Sequence, residues 1–193
     1  MPVTSSLPIF PLNTVLFPGG ILPLRIFEQR YLEMTKSCLR DGTPFGVCRI
    51  REGAEVGVPA IHETIGCSAI ISDWEMPHLG LFQLRARGVE VFRVLDSRVD
   101  RLGLIEARIE RLPESIGEIR EEAAGLCRRV LEAIVERVGE QSLPAPLSLD
   151  DPRWVSYRLS ELLPLTAEDR QRVLEERDDG RRVERLVDLL RAV

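Results

Sequence analysis

The sequence predicts an α+β protein in which a β-rich N-terminal part gives way to a helical C-terminal part. Three observations carry this. From Pro44 to Leu112, apolar runs of strand length alternate with turn residues. Around Leu112-Pro-Glu-Ser-Ile-Gly117 the apolar period changes, and beyond it apolar residues recur at steps of three and four. These place a β domain over residues 1–113 and a helical domain over 114–193.

Leu7-Pro-Ile-Phe-Pro11 reads as a short extended segment, because each proline fixes its own φ and pushes the residue before it toward β. Phe17-Pro-Gly-Gly20 is a turn, and Ile21 to Phe27 a second strand. Glu28 to Leu39 carries Tyr31, Leu32, Thr35 and Leu39 at near-helical spacing, and Asp41-Gly42 ends it. Strands follow over Phe45–Ile50 and Glu63–Trp74, then a turn over Met76-Pro-His-Leu-Gly80. Leu81–Arg87 and Val89–Leu95 come next, with Gly88 between them as a bulge or sharp bend. In Leu104–Ile109 the residues Ile105, Ala107 and Ile109 face one way and Glu106, Arg108 and Glu110 the other, the pattern of an antiparallel sheet with one wet face.

Ile116, Ile119, Ala123, Leu126, Cys127, Val130, Ile134 and Val138 then form one stripe of a long amphipathic helix ending at Gly139. Leu143-Pro-Ala-Pro-Leu147 is an extended connector. Asp150-Asp151-Pro152 starts the next helix, with an aspartate cap and an early proline, and Pro164 stops it. Thr166-x-x-Asp169 resembles a capping box for a third helix. After a break at Asp178–Gly180, Val183, Leu186, Val187 and Leu190 mark a fourth, so the C-terminal part should be a four-helix bundle.

Composition narrows the function. A chain that is 44% hydrophobic and 30% charged can fold a core, which excludes disorder. Net charge is −5, Lys36 is the sole lysine, and the arginines alternate with glutamates instead of forming runs, so no nucleic-acid partner is expected. No apolar stretch approaches the roughly 18 residues of a membrane span, and no basic start precedes the apolar N-terminus, so the expected compartment is the cytoplasm, with no membrane partner. Cys38, Cys48, Cys67 and Cys127 never form C-x-x-C and are expected as buried thiols. Cys48, His62, Cys67 and His78 match no compact ligand spacing, so no metal site is expected.

Chemistry is equally sparse. Phosphate-cradling glycine loops and G-x-S-x-G are missing, and His62 and His78, the only histidines, lie in or beside turns. Asp150-Asp151 and Asp178-Asp179 stand where helices start or break, which suits capping better than catalysis. Lys36 lies on an amphipathic helix face. No catalytic residue and no cofactor is expected.

The N-terminal pattern Leu7-Pro-Ile-Phe-Pro-Leu12, Val15-Leu-Phe-Pro18, Leu22-Pro-Leu24, Ile26-Phe-Glu28 and Arg30-Tyr31 resembles the opening of the Lon protease N-terminal domain. Glu55-Val-Gly57, Ile65-Gly-Cys-Ser-Ala-Ile-Ile71, the Leu84–Arg93 hairpin segment and Leu159–Glu175 continue the likeness across nearly the whole chain. The resemblance implies a PUA-like β pseudo-barrel followed by a helical bundle. It also implies recognition of unfolded or misfolded polypeptide segments, in a stand-alone form without the ATPase and Ser–Lys peptidase modules that do the family's chemistry. The expected role is that of an adaptor in protein quality control; the alternative is an RNA- or nucleotide-binding PUA-like protein. The oligomeric state stays open.

Leu12, Val15, Leu16 and Phe17, in a proline-flanked loop, are the candidate polypeptide-binding residues, since an exposed apolar patch marks a binding site. The competing placement folds the same side chains back to plug one barrel end. Trp74 and Trp154 are read as packing residues.

Overall fold

The computed structural model describes residues 4–192. Tertiary contacts divide the chain into two compact units, Met1–Leu112 and Pro113–Val193. No helix among the described residues is long and apolar enough to cross a membrane.

The first unit holds strands β1 (Thr4–Leu12), β2 (Ile21–Ile26), β3 (Phe45–Glu52), β4 (Ile61–His62), β5 (Ile65–His78), β6 (Leu81–Val99) and β7 (Ile105–Arg111), with helix α1 (Gln29–Asp41) between β2 and β3. Its hydrogen-bonded order is β1-β7-β6-β5-β3, and β3 returns to β1. β1 is antiparallel to β7, with Ile9 opposite Ile105, and parallel to β3, with Ile9 opposite Gly46. The circuit is therefore closed, a small barrel without free edges along that path.

Strict alternation along β1 sends Leu7 and Ile9 to one buried cluster and Phe10 and Leu12 to another. The first cluster adds Cys48, Phe92, Ile105, Ala107 and Ile109 and fills the barrel. Phe92 leaves no room for side chains at two neighbouring positions. A Cβ on Gly46 would stand 2.7 Å from the Phe92 ring and 2.7 Å from Ile9 Cδ1, and one on Gly66 would stand 2.4 Å from the Val47 carbonyl oxygen. The second cluster packs Phe45 and Val47 of β3 and Leu24 and Ile26 of β2 against Tyr31, Leu32, Met34 and Cys38 of α1.

β6 serves two sheets. Its first half pairs with β2 and the outer part of β5, Leu84 lying opposite both Leu24 and Trp74. Its second half pairs with β7, Val94 opposite Ile109. The sequence predicts two strands here; the structure has one, bent where Gly88 sits between the two pairings. The turn expected at Met76–Gly80 shortens to Leu79-Gly80, because β5 stays paired with β6 as far as His78 opposite Leu81.

The second unit comprises α2 (Glu121–Val138), α3 (Pro152–Leu162), α4 (Ala167–Glu175) and α5 (Asp179–Ala192), with a 3-10 turn at Glu140–Ser142. Ala123, Cys127, Leu131 and Val135 are the buried stripe of α2, which packs on α3 and α5. The helix starts later than its apolar period suggests. Ser115 forms a parallel bridge with Asp178, donating to the Arg177 carbonyl at 2.9 Å and accepting from Asp179 N–H at 2.9 Å. That bridge holds the segment extended, Gly117 takes φ 59°, and Ile116 is left outside. The caps are as predicted: Asp151 accepts from Arg153 N–H at 2.9 Å, and Thr166 from Asp169 N–H at 3.0 Å. Buried charge is paired. Asp179 takes Arg153 at 2.7 Å and also contacts the fully buried Arg182, whose guanidinium lies 4.3 Å from the Tyr157 ring centre.

Candidate binding surface

The loop between β1 and β2 is docked, not free. Gly20 N–H donates to the Phe17 carbonyl at 2.9 Å, closing the turn. Gly19 N–H donates to the Gly88 carbonyl at 2.8 Å, and Gly88 N–H to the Gly20 carbonyl at 2.9 Å, which fixes the turn to the bend of β6. The approach is so close that a Cβ on Gly88 would stand 2.1 Å from the Phe17 carbonyl oxygen. Asn13 N–H donates to Glu55 Oε1 at 2.6 Å, tying down the loop's other end. Leu12, Val15, Leu16 and Phe17 are consequently only 5%, 8%, 4% and 0% exposed. The four residues put forward from sequence as polypeptide contacts thus take the plugging position instead, because backbone bonds through three glycines pin their loop against the sheet. They offer no surface in this conformation.

Exposed apolar side chains of the first unit lie elsewhere; those on the ribbon and beside β2 include Phe27, Val56, Trp74, Met76 and, at 96%, Leu79, and others such as Val58, Val99 and Leu102 are scattered over the surface. Beyond Ala69, β5 no longer pairs with β3, so β5, the first half of β6 and β2 form an open three-stranded ribbon. Trp74 stands on its face, packed on Phe82 with ring centres 5.6 Å apart.

A slot of about 300 Å³ runs beside β2, bounded by residues 23–28, by Phe10 and Leu12 at the end of β1, by Tyr31, and by Glu55 and Val56. Its chemistry is apolar, with Arg25, Glu28 and Glu55 at its edges. Arg30, only 4% exposed, pairs with Glu28 Oε2 at 3.0 Å, donates to the Gly103 carbonyl at 3.2 Å, and lies 4.6 Å from the Tyr31 ring centre. Burial pushes the Tyr31 hydroxyl up to about 12, against the pull of Arg30, so it remains a neutral group at physiological pH. Phe27 was missed in the sequence. The signal was the parity of β2: Leu22, Leu24 and Ile26 point to the core, so Phe27 next in line points away from it.

The other groups weighed for chemistry are dispersed. Cys48 and Cys67 are buried, and burial drives the Cys48 thiol far above its ordinary range. His62 Nδ1–H donates to the Glu63 carbonyl at 2.7 Å, and His78 closes β5. Among the described residues no three His, Cys, Asp or Glu side chains group as a metal site. Lys36 pairs with Glu33 at 2.9 Å. A cavity of about 900 Å³ in the helical unit is lined by arginines and carboxylates such as Arg120 and Glu184, which pair with each other, with no serine, cysteine or histidine among its described lining residues. Trp154 lies beside Arg158, whose guanidinium is 6.0 Å from its ring centre.

Residues 6–192 match the family described as the ATP-dependent protease La (LON) substrate-binding domain. The Lon protease of Paraburkholderia phytofirmans is 30% identical over 199 residues, covering 96% of this chain and 24% of its own length. Lon protease 2 of Myxococcus xanthus is 28% identical, covering 97% and 24%. The chain thus spans about a quarter of the curated relatives it matches. A Lon N-terminal domain protein from Xanthomonas campestris superposes with a TM-score of 0.79 at 38% identity, over 95% of this chain and 98% of that one. The N-terminal domain of a Mycobacterium avium complex Lon protease shares the fold at TM-score 0.71 and 16% identity, over 95% and 97%.

Proposed function

The chain belongs to the LON substrate-binding domain family, and from that premise we propose that it is a non-catalytic polypeptide-binding module, acting in the cytoplasm as an adaptor in protein quality control. It engages extended or misfolded segments of other proteins. The observation that carries this reading is the exposed apolar set on the open ribbon and beside β2, with Phe27 57%, Val56 56% and Trp74 50% exposed in a unit whose other large apolar residues mostly fill two cores. Burying such side chains against an unstructured segment supplies the binding energy, offset by the entropy of ordering that segment, so single contacts are weak. The Lon relatives extend well beyond the quarter of their length that this chain matches.

No observation favours RNA as the ligand. Several arginines of β6 and β7 are paired, Arg98 with Glu106 at 2.5 Å, Arg108 with Asp96 at 2.5 Å and Arg111 with Glu90 at 3.1 Å. Although Arg25, Arg85 and Arg87 are exposed without an ion pair among the described residues, Arg25 and Arg85 share a cleft with Asp73 and Glu75, so no long basic track forms. The test is retention of one client protein in native and in chemically unfolded form by the immobilised chain. Selective retention of the unfolded form is expected; equal retention of both would refute the reading.

A further inference from the structure

We propose that β2 accepts an extended polypeptide as an added strand, with an apolar side chain of that segment seated in the slot beside it. The proposal rests on the polypeptide-binding reading above and gives it a place and a mode.

β2 pairs with β6 alone, so one of its edges is open. The ladder fixes which backbone groups lie on that edge. Gly88 N–H donates to the Gly20 carbonyl, making Gly20–Gly88 a hydrogen-bonded pair. In an antiparallel ladder such pairs recur at every second residue, so Leu22, Leu24 and Ile26 direct their N–H and C=O toward β6. Ile21, Pro23 and Arg25 direct theirs outward. Pro23 fits this assignment, since at an outward position its missing N–H costs the ladder nothing. The outward groups of Ile21, Pro23 and Arg25 have no hydrogen-bond partner among the described residues.

The fold has a second open edge, the outer part of β5, and it is poorly suited to pairing. Its ladder with β6 is interrupted by three irregularities, between Cys67 and Ala69, Ile71 and Asp73, and Glu75 and His78, and Pro77 lies within it. Bulges and prolines of this kind blunt an edge against added strands. The β2 ladder runs from Ile21 to Ile26 without interruption. Of these two edges that of β2 is the regular one, and the slot lies along it.

The slot selects the partner's chemistry. An added strand presents alternate side chains to one face, so one of them enters between Phe10, Tyr31 and Val56 while main-chain hydrogen bonds hold the register. Glu55, which accepts from Asn13 N–H, and the exposed Arg25 both line the slot, and Glu28 there is paired with Arg30, so the charges at the slot balance. The complementary segment is therefore extended and apolar at alternate positions, with no preference for the sign of its charges.

A short fluorescein-labelled peptide of alternating valine and lysine tests this by fluorescence anisotropy against the full chain. Saturable binding is expected. N-methylation of one alternate set of peptide nitrogens should weaken binding by about tenfold or more, and methylation of the other set by less than about twofold, because only one set faces β2. Phe27→Asp with Val56→Asp, both at exposed positions, should cost about tenfold in affinity while circular dichroism shows an unchanged melt. Equal effects of the two methylation patterns, no saturable binding of the valine–lysine peptide, or full binding by the double variant would each overturn the proposal. If the double variant fails to weaken retention of an unfolded client, the slot is wrong and the polypeptide-binding reading stands. If the unaltered chain retains no unfolded client, both fall.

Discussion

Replacing Gly88 with alanine probes how the β1–β2 loop is held. The added Cβ would lie 2.1 Å from the Phe17 carbonyl oxygen, 3.0 Å from its carbon and 3.2 Å from Leu16 Cγ. Since the nearest obstacle is backbone, the Phe17 turn must retreat by about 1 Å. That movement breaks the two bonds joining Gly19 and Gly20 to Gly88, each worth about 1 kcal/mol. It also lifts Phe17 and Leu16 part-way out of the core, at a further cost of about 1–2 kcal/mol. The expected loss is about 3–4 kcal/mol, a large share of the roughly 5–15 kcal/mol that holds a domain together. The chain carries two tryptophans, Trp74 in the first unit and Trp154 in the second. Equilibrium urea unfolding followed by Trp74 fluorescence in a Trp154→Phe background therefore reports on the first unit alone. With a slope of about 1–3 kcal/mol per molar urea, the midpoint should drop by roughly 1–3 M. A midpoint within about 0.3 M of the parent would refute the account of the docked loop.

Gly46→Ala should cost about 1–3 kcal/mol by overfilling the barrel, measured by the same fluorescence assay. Adding Phe92→Leu should recover part of that loss, a coupling of at least about 0.5 kcal/mol, and strict additivity would count against the packing argument. Gly125→Ala, mid-helix in α2, meets nothing closer than the far end of Arg129 at 3.3 Å, so it should stabilise the helical unit by about 0.5–1 kcal/mol in a thermal melt. Burial pushes Glu161 up to about 7, against Arg158 and Arg170. A carboxyl whose folded-state value exceeds its unfolded one gains a proton on folding, so its contribution is whole below about pH 4.5 and lost as the pH rises through about 7. Stability of the helical unit, read from Trp154 in a Trp74→Phe background, should fall by about 1–3 kcal/mol across that window, and Glu161→Gln should remove the slope. The same slope in both proteins would refute the assignment.

Elements fixed by local chemistry were legible in the sequence. Gly42 takes the left-handed C-cap with φ 63°, Asp151 and Thr166 cap as their positions suggest, and Ile105, Ala107 and Ile109 are the buried side of β7. What required distant partners was not legible. Ile116 and Ile119 continue the α2 period, but the bridge between Ser115 and Asp178, 63 residues apart, holds that segment extended. Gly88 looks like an interruption, yet β6 continues through it because β2 and β7 take over the two sides in turn. The two-residue β4 exists only through its pairing with β3, Ile50 opposite His62, and has no periodicity of its own. For the candidate site, composition supplied an apolar loop at Leu12–Phe17 but not its direction, which depends on the fit of Phe17 against Gly88. Phe27 closes the apolar run of β2 and Val56 lies 29 residues further on in the loop after β3, so only the backbone path brings them to one slot.

The closure of the barrel has a consequence for how the chain is made. β1 is seated between β3 and β7, and its antiparallel partner runs from Ile105 to Glu110. During translation β1 leaves the ribosome before both of its neighbours and must wait for nearly the whole first unit before the second of them exists. Bringing ends so distant together carries a loop-closure cost that slows folding. Until then Leu7, Ile9 and Phe10 are bare to solvent, and the newborn chain displays an unsheltered greasy segment.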